Sequence, residues 1–374
     1  MKKLLIITAA CLLTLASCIK DEALNAECDI LEVKPEYLDA LQREGVLIGL
    51  PIVKNDRVNF TVKRGTSLTA LAPDFILTPG AGIEPAGGTV RDFTTPQTYV
   101  TTSEDGQWRK AYEVSFQYPT PINDMGFEHF ALDTRGRFYE YFEVGDTPEE
   151  KFYYWDSGNI GFSLTGMART PEEYPTVPYA AGKRGNAVRL TTLSTGSWGR
   201  GVNMPIAAGN LFIGTFNVSQ AMLFPRKATR FGRQLVTDRP LRLEGWYKYT
   251  AGEHYQDIHE TILPDKHDTC DIYAVLYEVD PEKFVPLNGD DVLSSDRIVL
   301  MARIDEPGEP QDWTAFSEPF RLMEGKTFDY ARLANDGYAI AVVCTSSRQG
   351  AYFEGAIGST LFVDELKIVW EHDE

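Results

Sequence analysis

An all-β fold organised as two consecutive sandwiches is predicted from three features of the chain. Helical periodicity is confined to one stretch, Pro35–Arg43. Elsewhere short apolar runs alternate with polar residues and are broken by Gly, Pro, Asn and Asp, the pattern of strands joined by turns. Pro119 and Pro121 end the strand before them and favour an extended connector, which divides the chain. Residues 30–118 suffice for a small immunoglobulin-like sandwich, 119–122 form the linker, and 123–374 suit a larger jelly-roll sandwich.

The chain opens with Lys2 and Lys3, then an apolar run from residue 4 to residue 15, then Ala16, Ser17 and Cys18. A positive start, an apolar segment too short to span stably and small residues before a cut describe a secretory signal peptide over 1–17. The stretch 35–43 has proline at its start and Gly45 just past its end, the signals that open and close a helix. Residues 58–62 and 112–116 alternate cleanly and read as strands with one face in a core. Residues 271–279, DIYAVLYEV, are almost all apolar or aromatic, so they suit a central strand covered on both faces. In the strand beginning near Leu241, Trp246 is followed by Tyr247 and Tyr249, and burial in a sandwich accounts for all three. The last strand is 360–370.

Composition narrows the function classes. The formal charge is −18, and removal of 1–17 takes away two lysines and no acid, leaving −20. A chain so acidic, with no basic run, repels phosphate backbones, so nucleic acid is excluded as a partner. After the signal peptide is removed, Cys18, Cys28, Cys270 and Cys344 remain. If Cys18 carries lipid, three are left, and an odd number cannot all pair within the chain; Cys344 reads as a buried small hydrophobe. No Cys-x-x-Cys zinc pattern, nucleophile elbow or phosphate-cradling loop occurs.

Four resemblances follow from particular residues. Small residues followed directly by Cys18 resemble the bacterial lipobox, in which the cysteine thiol is diacylated and becomes the mature N-terminus. The following Ile19-Lys20-Asp21-Glu22 resembles the acidic export signal of Bacteroidetes surface lipoproteins. Residues 18–29 would then be a lipidated tether, and the protein would sit on the cell surface, anchored in the outer membrane. The segment 76–114, with its PGAGIEP and DFTTP pieces, resembles the immunoglobulin-like stalk domains next to such anchors. From 123 to 370 six blocks occur in order: YYWDSGNIGFSLTG, YPTVPYAAGKRGNAVRLTT, AAGNLFIGTFN, EGWYKYTAG, DIYAVLYE and GSTLFVDELKI. Together they resemble the family called the putative carbohydrate metabolism domain. That resemblance implies a connection with glycans but supplies no catalytic residue.

Sugars present apolar C–H faces and polar rims, so stacking rings beside carboxylates and amides form a binding surface. Tyr154, Trp155, Asp156 and Asn159 offer that mix within six residues, and Trp198 stands among glycines with no apolar neighbour to pack on. These five are the candidate glycan-binding residues. Glu128, near the start of the large domain, and Asp364, in its last strand, resemble the acids that clamp a structural Ca²⁺ between terminal strands of carbohydrate-binding jelly rolls. Residues 253–270 hold three histidines, a cysteine and several acids but lack a zincin spacing, and read as a polar surface loop. The expected function is non-catalytic glycan binding by a surface lipoprotein. The alternatives are a glycoside hydrolase or other carbohydrate-active enzyme, which needs two carboxylates across the scissile bond, and a structural or adhesion protein of the cell surface.

Acylation of Cys18 makes a direct prediction. Cys18→Ser is expected to move the protein from the membrane fraction to the soluble fraction with its melting curve unchanged. Wild-type protein that takes up no fatty-acid label would contradict the anchor.

Overall fold

The computed structural model describes residues 24–373 except 55, 119–121, 123, 146–150, 222 and 282. The expected signal segment, Cys18 and most of the proline connector lie outside the described residues. The chain is all-β, and no helix among the described residues is long and apolar enough to cross a membrane.

The first unit is built on a five-stranded sheet in the order Ile52–Lys54, Arg57–Thr61, Arg109–Gln117, Gln97–Thr102, Gly82–Glu84. Its second and third strands run parallel, which requires a long crossover between them. That crossover contains Phe75–Leu77, which pairs with Ile30–Val33 as a second layer. Alternation places Val58, Phe60, Val114 and Phe116 among the buried core, with Phe60 and Phe116 stacked at 4.2 Å. The helix Pro35–Arg43 forms where the sequence predicts it and buries Leu41; Gly45 follows at φ +66°, a conformation open to glycine.

The second unit is a sandwich of two antiparallel sheets. The nine-stranded sheet runs Leu287–Asn288, Thr229–Phe231, Asn210–Phe216, Tyr338–Thr345, Asp271–Glu278, Ile298–Arg303, Arg321–Leu322, with two short strands attached beside this path. The six-stranded sheet runs Thr176–Tyr179, Ala187–Thr191, Thr360–Trp370, Pro240–Thr250, Thr314–Pro319, with one short strand added. Ile272, Ala274 and Leu276 face Leu243, Tyr247 and Tyr249 across the inter-sheet core. Tyr273, Val275 and Tyr277 point the other way, into a second core under Phe284, Leu287 and Val292. The strand Asp271–Glu278 is thus covered on both faces, as its apolar run predicts.

Buried polar groups close one end of the sandwich. Asp268, 2% exposed, accepts hydrogen bonds from the Ser347 and Ser359 hydroxyls and the Ala356 N–H. It belongs to the histidine-rich loop, whose His254 and His267 side chains are exposed. Among the described residues no group of three or more His, Cys, Asp or Glu is placed to hold a metal. Cys28, Cys270 and Cys344 are free and buried.

Charges join the two units. Lys54 Nζ donates to the Trp155 carbonyl at 2.9 Å and lies 3.3 Å from Asp156. Arg57 pairs with Glu140 at 3.1 Å and lies 3.8 Å over the Tyr153 ring. These four charged side chains are only 8–14% exposed. Arg233, half-buried, donates to the Pro51 carbonyl. Removing one member of such a pair leaves a buried charge uncompensated, at a cost of about 3–5 kcal/mol.

Two predictions arise from this arrangement. Lys54→Met is expected to split thermal unfolding into separate transitions for the two units; a single transition at the wild-type temperature would contradict the coupling. The second concerns Glu143, which accepts the Trp155 ring N–H at 3.3 Å. Burial pushes its carboxyl from 4.5 up to about 7, with the indole hydrogen bond opposing. The folded state therefore holds a proton that the unfolded state has released, so stability falls as pH rises from 4.5 through 7. The slope approaches about 1.4 kcal/mol per pH unit in that window. Denaturant midpoints should fall between pH 5 and 8 in wild type and fall less in Glu143→Gln; parallel pH profiles would contradict the assignment.

Candidate functional site

The outer face of the nine-stranded sheet carries a pocket of about 330 Å³. Its floor follows from strand register. Phe212, Val343 and Tyr273 sit opposite one another on three adjacent strands and form an apolar row. One pleat further along, Asn210, Thr345 and Asp271 form a polar row on the same face. The walls come from short elements: Phe162 from the helix Asn159–Ser163, Trp198 from the helix Gly196–Gly201, and Tyr352 from the 3-10 turn Gly350–Tyr352. Trp198 is half-buried, with Tyr352 more exposed at 48%. Glycine is required beside Trp198: a Cβ on Gly199 would lie 1.8 Å from Thr195 Oγ1 and 2.4 Å from the Met204 carbonyl. The glycine-rich stretch therefore folds back on itself and leaves its indole facing the pocket.

The charged groups at the pocket are tied down. Asp271 takes two hydrogen bonds from the Arg303 fork, at 2.8 and 2.7 Å, and lies 3.6 Å from Arg348. Burial pushes its carboxyl up, and the two guanidiniums pull against that. At the opposite rim Asp290 pairs with Arg226 at 2.7 Å, and Arg226 lies 4.8 Å from the Tyr352 ring centroid. Glycoside hydrolysis needs one carboxyl free to donate a proton and another free to attack or activate water. Both pocket carboxylates instead have an arginine partner, and the Asp271 pair is bidentate, the strong form of this contact.

Of the five residues predicted to bind glycan, Trp198 alone lines this pocket. The other four build its frame. Trp155–Asp156 is a short strand paired with Ile213 and Phe212, so the Trp155 ring turns into the inter-sheet core, 1% exposed and 5.4 Å from Phe127. Tyr154 is 5% exposed beside it. Asp156 pairs with Lys54 and accepts the Phe216 N–H at 2.8 Å. Asn159 is completely buried and clamps the Thr176 backbone, donating to its carbonyl at 2.7 Å and accepting its N–H at 3.1 Å. The expected groove at Tyr154 to Asn159 is corrected to a buried strand and turn, because the pairing with 210–216 decides which way these side chains point.

Glu128 and Asp364 do share a partner, but it is a loop. Glu128 accepts the Asn186 N–H and side-chain amide at 3.1 and 3.0 Å. Asp364, fully buried, accepts the Arg184 and Glu365 N–H groups at 2.9 and 2.8 Å. Ca²⁺ wants six to eight oxygens, whereas these carboxylates face N–H donors, so this donor set does not fit the ion. The sequence reading does not reach Phe162, Tyr273, Tyr352 or Arg348, which it had no local pattern to separate from core residues. Nor does Trp246 fit the burial expected of it: Tyr247 and Tyr249 turn inward, and Trp246 lies on the outer face, half-buried.

Two family models match the chain. The family model described as "Putative carbohydrate metabolism domain" matches residues 126–369, and the model described as "SGBP, N-terminal" matches 50–115. A solved structure from Bacteroides thetaiotaomicron, described as a "putative glycoside hydrolase", is 40% identical, with TM-score 0.84 over 94% of this chain and 99% of that one. A second, from Bacteroides vulgatus under the same description, is 36% identical, with TM-score 0.61 over 67% of this chain and 98% of that one. No curated protein matches. The length of the family match and the full-chain likeness establish that the chain belongs to the putative carbohydrate metabolism domain family.

Proposed function

We propose that the protein binds glycan without cleaving it, in the pocket walled by Trp198, and that it does so at the cell surface on an outer-membrane lipid anchor at Cys18. The observation that carries this reading is the pairing of every pocket carboxylate named above with an arginine, beside an indole that its glycine-rich loop leaves free for stacking. Apolar walls of Phe162, Trp198 and Tyr352 suit the C–H face of a sugar ring. Asn210 and Thr345, half-buried at one end of the floor, supply hydrogen-bonding groups, while Asp271 stays buried against Arg303. Membership of a carbohydrate-related family supports glycan as the ligand class.

The hydrolase reading has two observations in its favour: Asp271 and Asp290 line the same pocket, and the two solved structures named above are described as putative glycoside hydrolases. A single experiment separates the two. An oligosaccharide panel is screened by calorimetry and by reducing-sugar release, with wild type and Trp198→Ala. Trp198→Ala should weaken binding about tenfold, the scale of one lost aromatic contact, with the far-UV spectrum unchanged. No reducing sugar should appear. Undiminished affinity in a folded Trp198→Ala variant would remove the pocket assignment, and sugar release abolished by Asp271→Asn would establish the hydrolase instead.

A further inference from the structure

The opposite side of the sandwich carries a second constellation that the pocket reading does not use. On the outer face of the six-stranded sheet, Lys183 Nζ lies 3.9 Å from the Trp246 ring centroid. Lys248 Nζ lies 4.7 Å from Phe362, 4.9 Å from Trp313 and 5.2 Å from Tyr179. Lys248 and Trp246 are two residues apart on one strand, and Phe362 faces Lys248 across the next, so alternation puts these three on the same face. Beside Trp246 a cavity of about 640 Å³ is bounded by Arg184, Glu244, Ser317 and Lys367.

The carboxylates of this face already have partners. Glu244 takes Arg242 at 3.1 Å and the Ser317 hydroxyl at 2.8 Å, and Glu365 lies 3.6 Å from Arg184. Lys183, Lys248 and Lys367 have no ion pair among the described residues. A chain of net charge −18 thus gathers three unpaired ammoniums on one aromatic sheet face. Cation–π contact holds two of them in place, so they are pre-organised for an incoming anion.

The acids expected to clamp calcium serve this face. Asp364 and Glu128 accept the N–H groups of Arg184 and Asn186, and so fix the turn that carries Lys183 over Trp246. Gly185 sits in that turn at φ +58°, and a Cβ there would lie 1.9 Å from Glu128 Oε1.

We infer that the outer face of the six-stranded sheet, around Trp246, Lys183 and Lys248, is a second saccharide site, selective for uronate-bearing polysaccharide. The rings match the apolar face of a pyranose, and the ammoniums match a carboxylate carried once per sugar unit. A neutral sugar offers these ammoniums no counter-charge. A denser polyanion meets the repulsion of the whole acidic chain. This site is independent of the pocket at Trp198.

Affinity electrophoresis of the full chain tests it, in gels containing polygalacturonate or the same polymer with its carboxylates methyl-esterified. Polygalacturonate should retard the protein about tenfold more strongly than the ester, and added salt should erase the difference. Lys183→Ala/Lys248→Ala, and Lys183→Glu alone in the exposed turn, should each lose about tenfold of that retardation with unchanged melting, whereas Trp198→Ala should keep it. Equal retardation by the ester, no retardation by polygalacturonate, or full retention in the folded lysine variants would each overturn the inference. Loss in Trp198→Ala alone would assign uronate to the pocket and remove this second site.

Discussion

Strand alternation around one shared core is the constraint on which the rest of this structure depends. A strand sends successive side chains to opposite faces, so filling the inter-sheet core decides what remains outside. In Asp271–Glu278, Ile272, Ala274 and Leu276 fill that core, which leaves Asp271 and Tyr273 to floor the pocket. In Pro240–Thr250, Leu243, Tyr247 and Tyr249 do the same and leave Trp246 and Lys248 on the far face. A one-residue slip in either strand would bring its core residues to the outer face. The core thus decides which residues the two outer faces present.

The first unit is held to this frame by charges rather than by a large apolar contact alone. Lys54 and Arg57 come from the first two strands of its five-stranded sheet and find Asp156 and Glu140 on the second unit. Buried ion pairs of this kind add little net stability over apolar packing but penalise every arrangement that leaves a charge unpaired. Their effect is to fix orientation. The Asp156 that serves this interface is the residue after Trp155, whose ring is in the core, so interface and core share one short strand.

The fold class, the helix Pro35–Arg43 and the doubly buried strand are legible in the sequence because each is written in a local pattern of period or punctuation. Trp198 is legible for a related reason, since its glycine neighbours offer nothing to pack against. Tyr154 to Asn159 is not. Its Asp-Ser-Gly-Asn run has the composition of a turn, but the direction of Trp155 is set by pairing with Ile213, nearly sixty residues away, and that pairing leaves no local mark. Glu128 and Asp364 are brought to one loop, as terminal-strand residues can be, but whether a carboxylate meets a cation or an N–H depends on the turn at Gly182 to Asn186. Trp246 could have been separated from Tyr247 and Tyr249 by period alone, since the two tyrosines share a face that it cannot.

The central claim is that glycan occupies the pocket beneath Trp198 and leaves it intact. Hydrogen–deuterium exchange on the full chain, with and without a saturating oligosaccharide that binds it, tests this directly. The account predicts slowed exchange at 195–204 and 348–353, the two segments that wall the pocket, with the oligosaccharide recovered at its original length. Bound oligosaccharide that slows neither segment, or that is recovered as shorter products, would contradict it.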